Sequence, residues 1–187
     1  MKYLAIYFLL CAAAASAQHS WTIGEEPFPK HVVDLPKQQR SAILLALQPS
    51  LLKIEKTFGL ESNELINVRK NLRVMTIAVR SGELTIVHSE GPELCGASGN
   101  CAIWALDNND RLILDQTGGA GLTILRASHS SLPDIEITVL ESASETGITW
   151  YRYDGTRYRK SRCAVRSYDN SGKPHLRFYR CDADPSR

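Results

Sequence analysis

From residue 73 onward the chain loses its helical period and begins to alternate. VMTIAV, ELTIVH, CAIWAL, RLILDQ, LTILRA, IEITVLES, ITWYRY, TRYRKS, AVRSY and HLRFYRC follow one another with local turns between them. TRYRKS and AVRSY are read as separate runs, and the whole amounts to about nine short strands spaced by roughly ten residues, the spacing of consecutive antiparallel neighbours. Arg80-Ser81-Gly82, Asp107 to Asp110, Gly118 to Gly121, Asp154-Gly155 and Asn170 to Pro174 supply the turn residues. A chain patterned in this way is confined to an antiparallel meander. Closure into a barrel or stacking as propeller blades are the alternatives, and no strict repeat selects the latter.

Helical periodicity precedes the strands. In DLPKQQRSAILLALQ, Asp34 is placed to cap, Pro36 suits a first turn, and Ile43, Leu44 and Leu47 share a face. Pro49 should end or kink that helix. Ser50 then caps a second one, SLLKIEKTF, which Gly59 closes. ESNELINVRKN supports one further helical turn. The expected fold is α+β: short N-terminal helices (about 34–71) packed on an antiparallel β-meander (about 72–181) in one domain spanning 18–187.

The first residues, MKYLAIYFLLCAAAASAQHS, have the layout of a secretory signal peptide. A charged start precedes an apolar run, and Ala15-Ser16-Ala17 forms a cleavage site, so residues 1–17 are expected to be removed after Ala17. Cys11 would be the acylated residue of a lipoprotein, but Leu10 stands where a small residue is required. No transmembrane segment follows, and a periplasmic or secreted location is expected.

Of five cysteines, Cys95, Cys101, Cys163 and Cys181 remain after that cleavage. An even count in an exported chain implies two disulfides, for which three pairings exist. Symmetric pairing of CAVRSYDNSGKPHLRFYRC about Gly172 sets Cys163 opposite Cys181, and Cys95 then has only Cys101. The stretch CGASGNC lacks the further thiolates or spaced histidines of a zinc site. It is also wider than a C-x-x-C redox motif and lacks the last glycine of a nucleophile elbow. It reads as a small staple that presents Ser98 and Asn100 for recognition.

Other candidate chemistry is thin. Gly118 to Gly121 lacks the remainder of a phosphate loop, and Asp107 to Asp110 lacks the glycine and distal glutamate of a calcium loop. Asp134, Glu136, Glu141 and Glu145 lie in one segment that nothing places across a cleft. A small secreted hydrolase would use His129 with a carboxylate such as Asp134, without an identifiable oxyanion site. No catalytic residue, metal or cofactor is therefore assigned.

Charge supplies the clearest functional lead. Residues 18–149 carry 11 Lys/Arg and 16 Asp/Glu, whereas 150–181 carry 9 Lys/Arg and 2 Asp. Pairing about Asp154-Gly155 opposes Tyr151 to Tyr158 on one face, and Arg152 to Arg157 and Trp150 to Arg159 on the other. Arginine forks suit phosphate, sulfate or carboxylate. Long basic side chains also protect exposed strands without binding anything. An export route and a nearly neutral whole chain argue against nucleic acid. An envelope polyanion or an acidic protein fits better.

LPDIEITVLESASETGITWYRYDGTRYRKSRC resembles the C-terminal part of uncharacterised exported bacterial proteins. Pro133, Asp134, Tyr151, Tyr153, Asp154, Gly155, Tyr158 and Cys163 carry that pattern. CGASGNCAIWAL, with Cys95, Gly99, Asn100, Cys101 and Trp104, is similar to another recurring piece, and a fainter similarity is to secreted β-propeller repeats. The resemblance implies export to a bacterial envelope and a β-rich, disulfide-bonded domain, and it brings no catalytic residues. The expected function is a non-enzymatic binding or inhibitor/immunity-type protein. It would bind through Trp150, Arg152, Arg157, Arg159, Ser98 and Asn100. A structural envelope protein is the further alternative.

Overall fold

The computed structural model describes residues 20–22, 30–79, 81–125 and 130–182. The signal-peptide reading and His129 lie outside these residues. In chain order the elements are β1 (Ser20–Thr22), β2 (Lys30–His31), a 3-10 turn (Val32–Asp34), α1 (Lys37–Phe58) and α2 (Ser62–Lys70). Then follow β3 (Leu72–Val79), β4 (Gly82–Ser89), β5 (Cys101–Leu106), β6 (Leu112–Gly119), β7 (Gly121–Ile124) and β8 (Ile135–Leu140). The last three are β9 (Glu145–Tyr153), β10 (Tyr158–Tyr168) and β11 (Pro174–Tyr179). The α+β class and the antiparallel strands are as expected.

The strands form two sheets rather than one, each a meander: β2-β3-β4-β5-β6, and β1-β7-β8-β9-β10-β11. The first is a middle layer. One of its faces packs against the helices through Ile43, Leu47, Leu51, Ile54, Val87 and Trp104. Its other face meets the outer sheet through Ile86, Ile103, Leu122, Ile135, Ile137 and Tyr151. Coverage on both sides explains why every residue of CAIWAL is buried.

The crossing between sheets occurs at Gly118 to Gly121. β6 ends at Gly119 in the middle sheet, and β7 starts at Gly121 in the outer one. A Cβ on Gly119 would lie 2.6 Å from Ile137 Cγ2 and 2.9 Å from Ile103 Cδ1, one contact in each sheet. Gly119 and Gly121 are the close-packed positions of this corner, whereas Gly118 is open.

Pro49 neither ends nor splits the helix: α1 runs unbroken over 22 residues. Proline removes one donor from the helical ladder. Both Pro49 and Leu45, whose carbonyl loses that donor, lie on the exposed side, where water can compensate. Ser50 is accordingly a buried mid-helix residue, and its hydroxyl accepts a hydrogen bond from Trp104 Nε1 at 2.9 Å. Gly59 caps the helix in the left-handed conformation (φ 65°). α2 is longer than a single turn because Glu61 and Glu64 form a reciprocal capping box.

Both expected disulfides are present, Cys95–Cys101 and Cys163–Cys181. The registers that predicted the second pair are shifted by two. Cys163 pairs across the ladder with Tyr179, and Cys181 lies in a turn just beyond β11. In the preceding hairpin Tyr158 opposes Tyr153 and Arg159 opposes Arg152. In each hairpin the loop begins at an aspartate that holds it: the first is four residues, 154–157, rather than two, and the second keeps five residues but starts one position earlier, at Asp169. Asp154 Oδ1 accepts from the backbone N–H groups of Thr156 and Arg157, and Asp169 Oδ1 accepts from those of Ser171 and Lys173. Asp107 does the same for Asn109 and Arg111. In each loop the second carboxylate oxygen meets a cation-forming side chain: Arg111, Arg159 or His175.

Candidate functional site

The C-terminal strands concentrate the basic residues, and the fold distributes them over two faces. β9 and β10 pair in one register up to Lys160↔Tyr151, and Arg162 then opposes Trp150, so Ser161 is an extra residue. Without this bulge Lys160 and Arg162 would share a face, because side chains alternate along a strand. With it, Lys160 turns inward beside Tyr151 and Arg162 turns outward beside Trp150. The Ser161 hydroxyl donates to the Trp150 carbonyl at 3.1 Å.

On the outer face the Arg162 guanidinium lies 5.7 Å from the Trp150 ring centre and 5.4 Å from that of Phe178. The two rings are 6.1 Å apart and inclined by 31°. The rings hold the guanidinium in place by cation–π attraction. Among the described residues no carboxylate lies within ion-pair distance of Arg162. Phe178 and Leu176, on the same face of β11, are 54% and 45% exposed.

Trp150 therefore belongs to this cluster, but the arginines at 152 and 159 are already engaged. Arg152 pairs with Asp134 at 3.5 Å and Arg159 with Asp154 at 2.9 Å. The Asp154 carboxyl is held well below the usual carboxylate range, mainly by hydrogen bonds from Thr156 and Arg159. Sequence symmetry missed Arg162 and Phe178. Their positions depend on the bulge and on the register of β11, and neither has a local signature.

The inner side of the same hairpin borders a cleft of about 410 Å³ against β6, lined in part by Leu112, Thr117, Tyr151, Arg157 and Lys160. Tyr151 is buried, and its hydroxyl shares a 2.9 Å hydrogen bond with Thr117. Burial pushes the Tyr151 phenol up. Tyr153 and Tyr158 pack edge to face at 5.6 Å, and Tyr158 donates to the Pro133 carbonyl at 2.7 Å. The aromatic pattern of this hairpin is thus its inner packing.

The small disulfide loop is tied down. Asn100 Nδ2 donates to the Leu140 carbonyl and to Ser98 Oγ, and Asn100 Oδ1 accepts from the Leu140 N–H. The amide of Asn100 thereby joins the loop before β5 to the end of β8 in the other sheet, while Ser98 stays exposed. Ser98 and Asn100 precede β5, Asn100 meets the end of β8, and among the described residues no hydrogen bond or ion pair joins them to Trp150, Arg152, Arg157 or Arg159.

No family model matches the chain, and neither the curated proteins nor the solved structures contain a match. Among the described residues no three His, Cys, Asp or Glu side chains converge as metal ligands would. No helix among them is long and apolar enough to cross a membrane.

Proposed function

We propose that this protein is an exported, non-enzymatic binding module of inhibitor or immunity type that docks an acidic partner protein on the outer face of its C-terminal strands. The observation that carries this reading is Arg162 held across Trp150 and Phe178 with no carboxylate partner among the described residues. An arginine stacked on partly exposed Trp and Phe side chains has the residue types enriched at protein interfaces, with Trp and Arg among the commonest hot-spot residues. A polyanion such as a sulfated glycan would instead favour a run of unpaired cations, and Arg152 and Arg159 are both paired. The two disulfides suit an oxidising compartment.

Immobilised protein incubated with a bacterial envelope extract tests the reading. Retention of one acidic protein is expected, falling on the order of 10- to 100-fold in Arg162→Glu and Trp150→Ala. Equal retention by both variants removes this face as the docking surface. Retention of heparin that is lost in the same variants, with no protein retained, replaces the partner by a polyanion.

A further inference from the structure

We infer that the cleft between β6 and the β9–β10 hairpin is a second binding site, for a small hydroxylated oxyanion of the class of sugar acids and sugar phosphates. The cleft opens on the opposite face of the hairpin from Arg162, so it is independent of the docking surface proposed above. Its volume of about 410 Å³ falls within the usual range for small-molecule sites.

Charge selects an anion. Arg157 and Lys160 line the cleft, and among the described residues neither forms an ion pair. Arg159, on the same wall, is already held by Asp154. Asp115 also borders the cleft but is engaged in an interaction of its own. Two unpaired cations at one opening favour a carboxylate or phosphate, and a guanidinium can grip either with two parallel hydrogen bonds. Alternation from Tyr158 by itself places Lys160 on the cleft side opposite Tyr151, and the bulge at Ser161 turns the next cation, Arg162, to the other side. Bulges recur where a strand must re-aim one side chain.

The interior selects hydroxyls over a bare ion or a fatty chain. The Tyr151 and Thr117 hydroxyls form one pair, in which each oxygen keeps further capacity to accept. Leu112 and Leu114 supply an apolar wall of limited extent. A sugar ring with an anionic substituent matches both, presenting O–H groups to the hydroxyl pair and C–H surface to the leucines.

The full chain is titrated with glucuronate, glucose 6-phosphate, inorganic phosphate and glucose, followed by NMR shifts and calorimetry. Saturable binding of the first two is expected at concentrations up to about 10 mM, with shifts confined to residues of β6 and the β9–β10 hairpin. Arg157→Ala and Lys160→Ala should each weaken it on the order of 10- to 100-fold, the cost of a lost charge-assisted hydrogen bond. Tyr151→Phe should weaken glucose 6-phosphate more than inorganic phosphate, and Asp115→Asn should tighten both. Arg162→Ala should change none of them, which separates this site from the docking face. Absence of saturable binding overturns the inference, as does binding that survives loss of both cations. Equal binding of glucose overturns the anion, and equal binding of inorganic phosphate overturns the sugar.

Discussion

The indole nitrogen of Trp104 donates a 2.9 Å hydrogen bond to the Ser50 hydroxyl, and both side chains are buried between α1 and the middle sheet. Ser50→Ala leaves a buried donor without a partner, which costs about 1–3 kcal/mol. Urea denaturation should show a lower midpoint with an unchanged slope.

Asn100 uses one amide to satisfy both the N–H and the C=O of Leu140. Asn100→Ala should therefore lower stability by about 1–2 kcal/mol, the net worth of one to two hydrogen bonds. Amide exchange at Leu140 should accelerate selectively, because its N–H loses its acceptor. An exchange rate unchanged from wild type would show that the tie is not formed in solution.

The glycine corner separates two neighbours of identical type. Gly119→Ala forces a methyl between Ile137 and Ile103, whereas a Cβ on Gly118 meets nothing within 4 Å. The first substitution should cost about 1–3 kcal/mol as overpacking, and the second should be near neutral. Thermal melts of the two variants side by side decide this.

His88 is buried in β4, and loss of solvation is the main cause that lowers its pKa below the ordinary 6.5. The unfolded chain then binds a proton before the folded one does. Stability linked to His88 is complete above the unfolded value and declines as pH falls from about 6.5 toward the lower folded value. Melts from about pH 7.5 to about pH 5.5 should show this decline, and His88→Asn should flatten it.

Non-reducing digestion should release Cys95 joined to Cys101, and Cys163 joined to Cys181. The second pair closes the longer segment, with a separation of 18 residues against 6. Replacing Cys163 and Cys181 together by serine should cost about 2–4 kcal/mol. The same change at Cys95 and Cys101 should cost less, because a short loop restricts the unfolded chain less.

Local signals carried much of this fold. Alternation, turn residues and the expected cysteine pairs correspond to strands, loops and disulfides in the structure. TRYRKS and AVRSY, read as two runs, form the single strand β10, and nine strands lie from Leu72 onward among the described residues. What alternation does not encode is which sheet a strand joins. Only the unbroken apolar run of CAIWAL signalled a layer covered on both faces. Pro49 misled because its effect depends on whether the freed carbonyl meets water, a matter of tertiary placement. At the candidate site, Trp150 was legible as an aromatic among cations. Arg162 was not, because one inserted residue at Ser161 decided which side of the sheet each cation occupies.

Among the described residues the strands from β3 to β6 and from β7 to β11 pair with their neighbours in sequence, while β1 reaches across the chain to β7 and β2 reaches past both helices to β3. Closing a ladder between adjacent strands requires only short loops, whose entropic cost is small. Pairing between consecutive strands favours faster folding than pairing between distant ones. The middle sheet and its helices occupy one continuous stretch, residues 30–119, ahead of β7 to β11 in the chain. The strands that carry the docking face are therefore made after the layer they pack against.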